Sequence, residues 1–325
     1  MAGELNADLI MYGVPEELPR ERELLASAMM LTLGGSSAIV AHNLAALGSR
    51  VGFQSRIGSD GFGDIVLDYM VKGGVDVSHM RRNPPPAGAS SNHSGPASTG
   101  LTVIMQREAW RNMLTYSGTI AELSLGDLDL EYLADSRHFH FSSFFLQTGL
   151  QADVPDLFKK LKAAGLSISL DTNDDPEDRW DNGLMEALRQ VDVFFPNARE
   201  ARRITGEDDI ERAVARLGEI VPLVVVKMGE EGAMAQRGPE KLSCSAIKVE
   251  FVDAVGAGDS FNAGFLYQYV RGADLATCLT SGNLAGALST TRPGGIEAFR
   301  DRGHREEFLR RNATSLPRIY TDARG

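Results

Sequence analysis

Cysteine is scarce in this chain, with Cys244 and Cys278 the only two among 325 residues. They stand far apart, without CxxC or Cys/His ligand spacing, which implies no disulfide scaffold, argues against structural zinc and fits a reducing compartment. Blocks of Lys or Arg are missing as well. The 44 acidic residues outnumber the 33 basic ones for a net charge of −11, so there is no electrostatic footprint for a phosphate backbone, and nucleic acid is not an expected partner. No stretch approaches the roughly 20 apolar residues of a membrane span, and the start MAGELNADLI lacks the basic and apolar regions of a secretion signal. The expectation is a cytoplasmic protein without membrane contact. No self-similarity at a fixed period is visible, which sets repeat architectures aside.

What is present suits an ordinary globular domain: 43% of the residues are apolar, enough for one large α/β core or two smaller ones. Ser36 to Leu47 reads as a helix, Val51 to Ile57 as a short strand, and a second helix runs from about Phe62 to Gly73-Gly74. The tract Asn83 to Thr99, NPPPAGASSNHSGPAST, is rich in Pro, Ser and Gly and should be a mobile loop, its His93 a loop residue. TGLTVIMQ and NMLTY then read as a hairpin about the polar turn REAWR. From Phe139 onward, strands at HFHFS, SISLD, DVFFP and LVVVK alternate with helices starting near Val154, Gly183, Ala198 and Ile210. That alternation predicts a mostly parallel sheet with helices on both faces. A last strand near Ala246–Phe251 leads into a Gly-rich turn and a helix with Phe261, Phe265 and Tyr269 on one stripe.

The turn carries the chemistry. In DAVGAGDSFNAGF, Asp253 to Phe265, small residues Gly256, Ala257 and Gly258 sit between strand and helix, where backbone N–H groups and the helix N-terminus can bind an anion. Asp259 stands beside them, placed to take the proton of a hydroxyl attacking a phosphoryl group. Locally this competes on equal terms with a plain helix cap over a tight turn. GxxxxGK[ST] does not occur, and no GxGxxG follows the first strand, so neither a Walker A loop nor a dinucleotide fingerprint is present.

Together with GGSSAIVAHNLAALGSRVGFQSRIGSDGFG, Gly34 to Gly63, the segment DAVGAGDSFNAG resembles the paired signatures of the ribokinase-like (PfkB) carbohydrate kinases. The resemblance extends over nearly the whole chain. It implies a Rossmann-like α/β three-layer sandwich as a single domain over 1–325, with a small β-sheet lid from segments near 8–32 and 100–117. It also implies ATP and Mg2+ as the phosphoryl donor system, a small sugar as acceptor, and a homodimer through the lid. By position it makes Asp259 the catalytic base and Gly256, Ala257 and Gly258 the anion hole. Asn197-Ala198-Arg199-Glu200 resembles the family's Asn-x-x-Glu motif, tied indirectly to magnesium, though Asn197 and Glu200 also spell a capping box. Asp8, Gly34 and Gly35 resemble the groups that hold the sugar, and Arg111 an arginine of the lid turn. Lys227, Gly229, Asn283 and Gly286 fall where such kinases line the ATP cleft. Asp253 and the turn Arg292 to Gly295 resemble the two loops that hold a monovalent cation, K+, in many members.

Departures from the pattern matter too. Members usually carry an apolar strand before the GELN-like segment, whereas this chain begins Met1-Ala2-Gly3. Either the start codon is placed late or the sheet is completed differently. Ile39 stands where the family pattern has an Asn that contacts the sugar, which bears on acceptor choice. His138 and His140 alternate on a strand without a third ligand, so a metal pair is not favoured. Phe139, Phe141, Phe144 and Phe145 read as core or cleft wall, and Trp110 and Trp180 flank polar turns where they could touch substrate. Two rival functions remain at this stage: a nucleoside kinase on the same fold, and a catalytically silent sugar-binding regulator.

Overall fold

The computed structural model describes residues 1–84, 97–107, 110–312 and 318–321. Its strands are β1 (Asn6–Tyr12), β2 (Ala28–Gly34), β3 (Arg56–Ile57), β4 (Arg81–Arg82), β5 (Gly100–Gln106), β6 (Arg111–Tyr116), β7 (His138–Ser142), β8 (Ser167–Asp171), β9 (Val193–Phe194), β10 (Leu223–Lys227), β11 (Ala233–Arg237), β12 (Glu240–Cys244) and β13 (Ile319–Thr321). Seven of them form one sheet in the order β13-β12-β11-β10-β9-β8-β7. The run β7 to β10 is parallel and β11 to β13 antiparallel. The parallel strands are buried on both faces, as their near-continuous apolar runs require.

Alternation along these strands divides the interior into two cores. Val193, Phe195, Leu223 and Val225 face one core, shared with the helices Ser36–Ala46, Ala257–Tyr269 and Leu275–Ser289. Phe194, Val224 and Val226 face the other, shared with Val154–Ala163, Leu184–Leu188, Ala198–Thr205 and Ile210–Gly218. This is the expected three-layer sandwich. Phe265 sits at the centre of the first core, fully buried, with its ring edge-on to Phe195 at 5.2 Å and stacked on Tyr269 at 6.1 Å.

A second sheet has the order β2-β1-β5-β6, its β5–β6 pair being the hairpin read from the sequence. Opposed residues share a face. Asp8, Thr32, Thr102 and Thr115 therefore lie on one side, and Leu9, Leu31, Val103 and Leu114 on the other. The first side is docked on the sandwich. Ile10 and Ile104 pack on Val255, Tyr12 Oη donates to Asp253 Oδ2 at 3.0 Å, and Thr32 Oγ1 donates to Glu297 Oε1 at 3.0 Å.

Two expected strands differ in the structure. Val51–Ile57 is extended, but only Arg56–Ile57 joins a ladder; Gly52 and Gln54 make single bridges to Asp76 and Ala2. Those bridges bring the N-terminal segment in beside Gln54, with Gly3 N donating to Gln54 O and Gln54 N to Met1 O. Ala246–Phe251 is not a strand at all. The ladder ends at Cys244 because the Asn283 side chain takes the carbonyls of Cys244 and Ser245, at 3.0 and 3.1 Å, and the chain beyond leaves the sheet with Phe251 60% exposed. Most of the Asn83–Thr99 tract, His93 included, lies outside the described residues; Asn83 itself is buried and donates to Ala97 O and Glu122 Oε2.

Truncating Phe265 to Ala removes a fully buried ring from the first core and is expected to cost about 3–5 kcal/mol. The midpoint of urea unfolding, with unchanged slope, checks this.

Candidate functional site

The C-terminal ends of the parallel strands, the Gly-rich turn and the inner side of the small sheet meet at one cleft, the general location for ligands in open α/β sheets. Gly256 makes the turn possible. Its φ is 69°, a left-handed conformation, and a Cβ there would lie 2.5 Å from Gly295 Cα, so a side chain would collide with the RPGG turn. The helix Ala257–Tyr269 starts immediately after it. Among the described residues the amides of Gly256, Gly258 and Asp259 have no hydrogen-bond acceptor, while Ala257 N donates to Ala254 O at 3.2 Å. Of the three expected anion-hole amides, Ala257's is thus engaged within the turn in this conformation. The amide of Asp259, which the sequence reading did not count, is free alongside the other two.

Asp259 lies in the first turn of that helix, partly buried. Ser36 Oγ donates to its Oδ1. Burial first, then the nearby Asp171 carboxylate, push its carboxyl up to about 6, against the opposing effects of the Ser36 hydrogen bond and the charges of Lys227 and Arg111. Arg111 heads β6 and is exposed, with its charge directed at this group.

Beneath Asp259 the site is organised by a buried ion pair. Lys227 Nζ contacts Asp171 Oδ2, and Asn262 Nδ2, from the Asp259 helix, donates to the same oxygen at 2.6 Å. Asp171 is fully buried at the end of β8 and Lys227 ends β10. Burial works against the Lys227 charge, but Asp171 and Glu200 hold the ammonium above its ordinary value. Glu200 is pushed up to about 7, chiefly by burial and then by Asp171. The capping box read from the sequence is present: Glu200 N donates to Asn197 Oδ1 at 2.9 Å and Asn197 N to Glu200 Oε2 at 2.8 Å. Asn197, Arg199, Lys227, Met228 and Glu231 line a cavity of about 310 Å3, which brings Asn197 and Lys227 to one cleft.

On the opposite wall Asp8 is buried and pushed up to about 7, first by burial and then by the carboxylates of Asp259, Glu4 and Asp253; Asn6 Nδ2 donates to it at 2.9 Å. Its carboxyl rests on Gly34, where a Cβ would fall on the Asp8 side chain, and Gly35, φ 89°, opens the helix Ser36–Ala46. Ile39 packs into the core with its Cδ1 against Gly295. One turn later Asn43 donates to Ser260 Oγ and Gly295 O, at 3.0 and 2.9 Å.

The remaining candidates have structural partners. Asp253 is fully buried and accepts from Val255 N, Gly294 N and Tyr12 Oη, so its carboxylate ties the RPGG turn and the small sheet to the Gly256 turn. Three donors thus fall on that carboxylate, one on Oδ1 and two on Oδ2. Asn283 braces Cys244 and Ser245. Gly286 lets its helix approach Ala257, whose carbonyl would lie 3.3 Å from a Cβ, and Gly229, φ 59°, turns the chain after β10. Both ring nitrogens of His138 and of His140 meet serine hydroxyls of Ser142, Ser167 and Ser169, and burial lowers both rings. Trp110 Nε1 donates to Glu16, and Trp180 is buried against Phe145 with Nε1 on Asp178. Among the described residues, no three His, Cys, Asp or Glu side chains form a metal cluster, and no helix is long and apolar enough to cross a membrane.

Sequence reading missed Asp171, Asn262, Ser36 and Tyr12. Asp171 had a usable signal, a carboxylate closing the buried strand SISLD. The others are ordinary polar residues that gain meaning only from neighbours far away in the chain.

Comparison with known proteins identifies the chain's relatives. The pfkB family carbohydrate kinase model matches residues 1–302. The chain is 29% identical to the 2-dehydro-3-deoxygluconokinase of Bacillus subtilis, over 85% of this chain and 86% of that one. It is 30% identical to the fructokinase of Klebsiella pneumoniae, over 82% and 88%. Among solved structures it is similar to Arabidopsis thaliana ribokinase complexed with ribose and ATP, with a TM-score of 0.76 and 25% identity, covering 95% of this chain and 97% of that one. An E. coli protein provisionally designated ribokinase II, solved with ATP and Mg2+, aligns with a TM-score of 0.80 and 26% identity over 95% and 98%. The chain belongs to the pfkB family of carbohydrate kinases, phosphotransferases that act on an alcohol group.

Proposed function

We propose that this chain transfers the γ-phosphoryl group of ATP to a sugar hydroxyl, with Asp259 as the general base. One observation carries the reading: among the described residues, a carboxylate with an oxygen free of protein hydrogen bonds sits at a helix N-terminus, beside the unpaired amides of Gly256, Gly258 and Asp259. An acceptor hydroxyl held there by Asp8, over Gly34 and Gly35 and under Arg111, gives its proton to Asp259 as its oxygen attacks the γ-phosphorus. The free amides and the helix N-terminus stabilise charge developing on the phosphoryl oxygens, without reorganising at the moment of transfer. Lys227 lies next to Gly258, its Nζ 3.6 Å from where a Cβ would stand, and supplies positive charge to the phosphates along Gly229 and Gly286. Asn283 supports that wall through the backbone it braces.

Magnesium, when bound with the nucleotide, neutralises phosphate charge. The acidic pair Asp171 and Glu200 beside Lys227 suits such an ion through water, because the Glu200 oxygens already accept from Asn197. The small sheet acts as a lid that excludes water from the γ-phosphoryl. Its outer side, where Met29 and Leu114 are 65% and 69% exposed, offers an apolar surface for a second copy, so we assign a lid-to-lid homodimer. The cytoplasm suits this chemistry, since ATP is supplied there.

Three outcomes are expected. Asp259→Asn lowers kcat by about 10^2 to 10^4-fold, read by ADP release across a panel of sugars, sugar acids and nucleosides; turnover at the wild-type rate would overturn the base assignment. Because the base works only when ionised and its carboxyl is held near 6, kcat/KM should fall about tenfold per pH unit below that value and level off above it. Leu114→Asp places a charge in the apolar outer side and should convert a dimer to a monomer by light scattering; an unchanged mass would remove the lid from the interface.

A further inference from the structure

We infer that Ser36 is a positioning residue for the base: its hydroxyl fixes one oxygen of Asp259 and leaves the other turned to the acceptor. The inference rests on the sugar-kinase reading above and deepens it. Ser36 is the first residue of the helix Ser36–Ala46, entered through Gly35, and Asp259 lies in the first turn of Ala257–Tyr269. The two helix N-termini converge, and Ser36 Oγ, almost fully buried, donates to Asp259 Oδ1. Among the described residues Oδ2 accepts no hydrogen bond. A carboxylate held by one oxygen keeps a single orientation, and proton transfer depends on that alignment.

The same bond bears on ionisation. A hydrogen bond to the charged form favours it, so Ser36 counters the burial and the Asp171 charge that oppose an ionised Asp259. The other charged groups facing Asp259 are Lys227 from β10, Arg111 from β6 and Asp8 from β1. Holding the helices together is a separate matter. Asn43 Nδ2 on Ser260 Oγ already ties the same two helices, next to Asp259 but without touching its carboxylate. Ser36 and Ser260 therefore form a matched pair: both hydroxyls bridge these helices, and only one of them contacts the base.

The test compares pH profiles of kcat and KM for Ser36→Ala, Ser36→Thr and Ser260→Ala, using the best acceptor of the panel. Ser36→Ala should lower kcat about tenfold with little change in acceptor KM, and raise the acid limb of kcat/KM by about one pH unit. Ser36→Thr, which keeps a hydroxyl, should restore both. Ser260→Ala should lower the melting temperature and leave the limb in place. If Ser36→Ala does not fold, Ser36→Cys preserves its size with a weaker donor and should show the same upward shift. A wild-type limb in the folded Ser36 variant, or equal shifts in the Ser36 and Ser260 variants, would refute the positioning role. A fully active Asp259→Asn would instead refute the base itself, so the two failures are distinct.

Discussion

One buried ammonium organises a cleft crowded with carboxylates. Lys227 contacts Asp171, and its charge also acts on Glu200 and Asp259, while Asp8 and the neighbouring Glu4 lie across the cleft. Carboxylates this close cannot all remain ionised without a cation in their midst, and breaking a buried pair leaves an uncompensated charge that costs about 3–5 kcal/mol. Burial first raises the carboxyls of Glu4, Asp8 and Glu200 to about 7 and that of Asp259 to about 6, and neighbouring carboxylates add to the rise for Asp8, Glu200 and Asp259. In the proposed reaction a nucleotide would add negative charge of its own, next to Lys227, the Gly256 turn and the N-terminus of the helix Ala257–Tyr269.

Rigid ties hold this charge arrangement in place. Asp253 joins the small sheet through Tyr12 to the RPGG turn through Gly294 and to the Gly256 turn through Val255. Asn43 links its helix to Ser260 and Gly295, and Asn262 links the Asp259 helix to β8. Asp253 and Asn43 are buried polar groups whose side-chain oxygens and nitrogens are all used by their neighbours, the condition under which burial of such groups stabilises a structure; Asn262 uses its Nδ2, while its Oδ1 has no partner among the described residues. The small sheet, the Gly256 turn and the ends of β8 and β10 are therefore set relative to one another by side chains of the core as well as by the backbone.

Much of the fold was legible in the chain. The strands HFHFS, SISLD, DVFFP and LVVVK and the helices after them appear where their apolar periods place them, because period follows directly from which face is buried. The strand expected at Ala246–Phe251 is absent since a distant residue, Asn283, diverts the carbonyls that would have continued the ladder. The capping box at Asn197 and Glu200 was legible because its partners are three residues apart.

By itself, then, the sequence determined whatever depends on neighbours within a few residues: the layered α/β order, the caps, the glycines of the Gly256 turn and a carboxylate at a helix start. Local reasoning left that carboxylate evenly divided between cap and base, and two distant signatures tipped the balance. Only the tertiary structure decided that Ser36 holds Asp259, that Lys227 is paired with Asp171, and that Asp253 serves as a brace. Those contacts join residues 223, 56 and 241 positions apart, and no local period encodes a hydrogen bond of that reach.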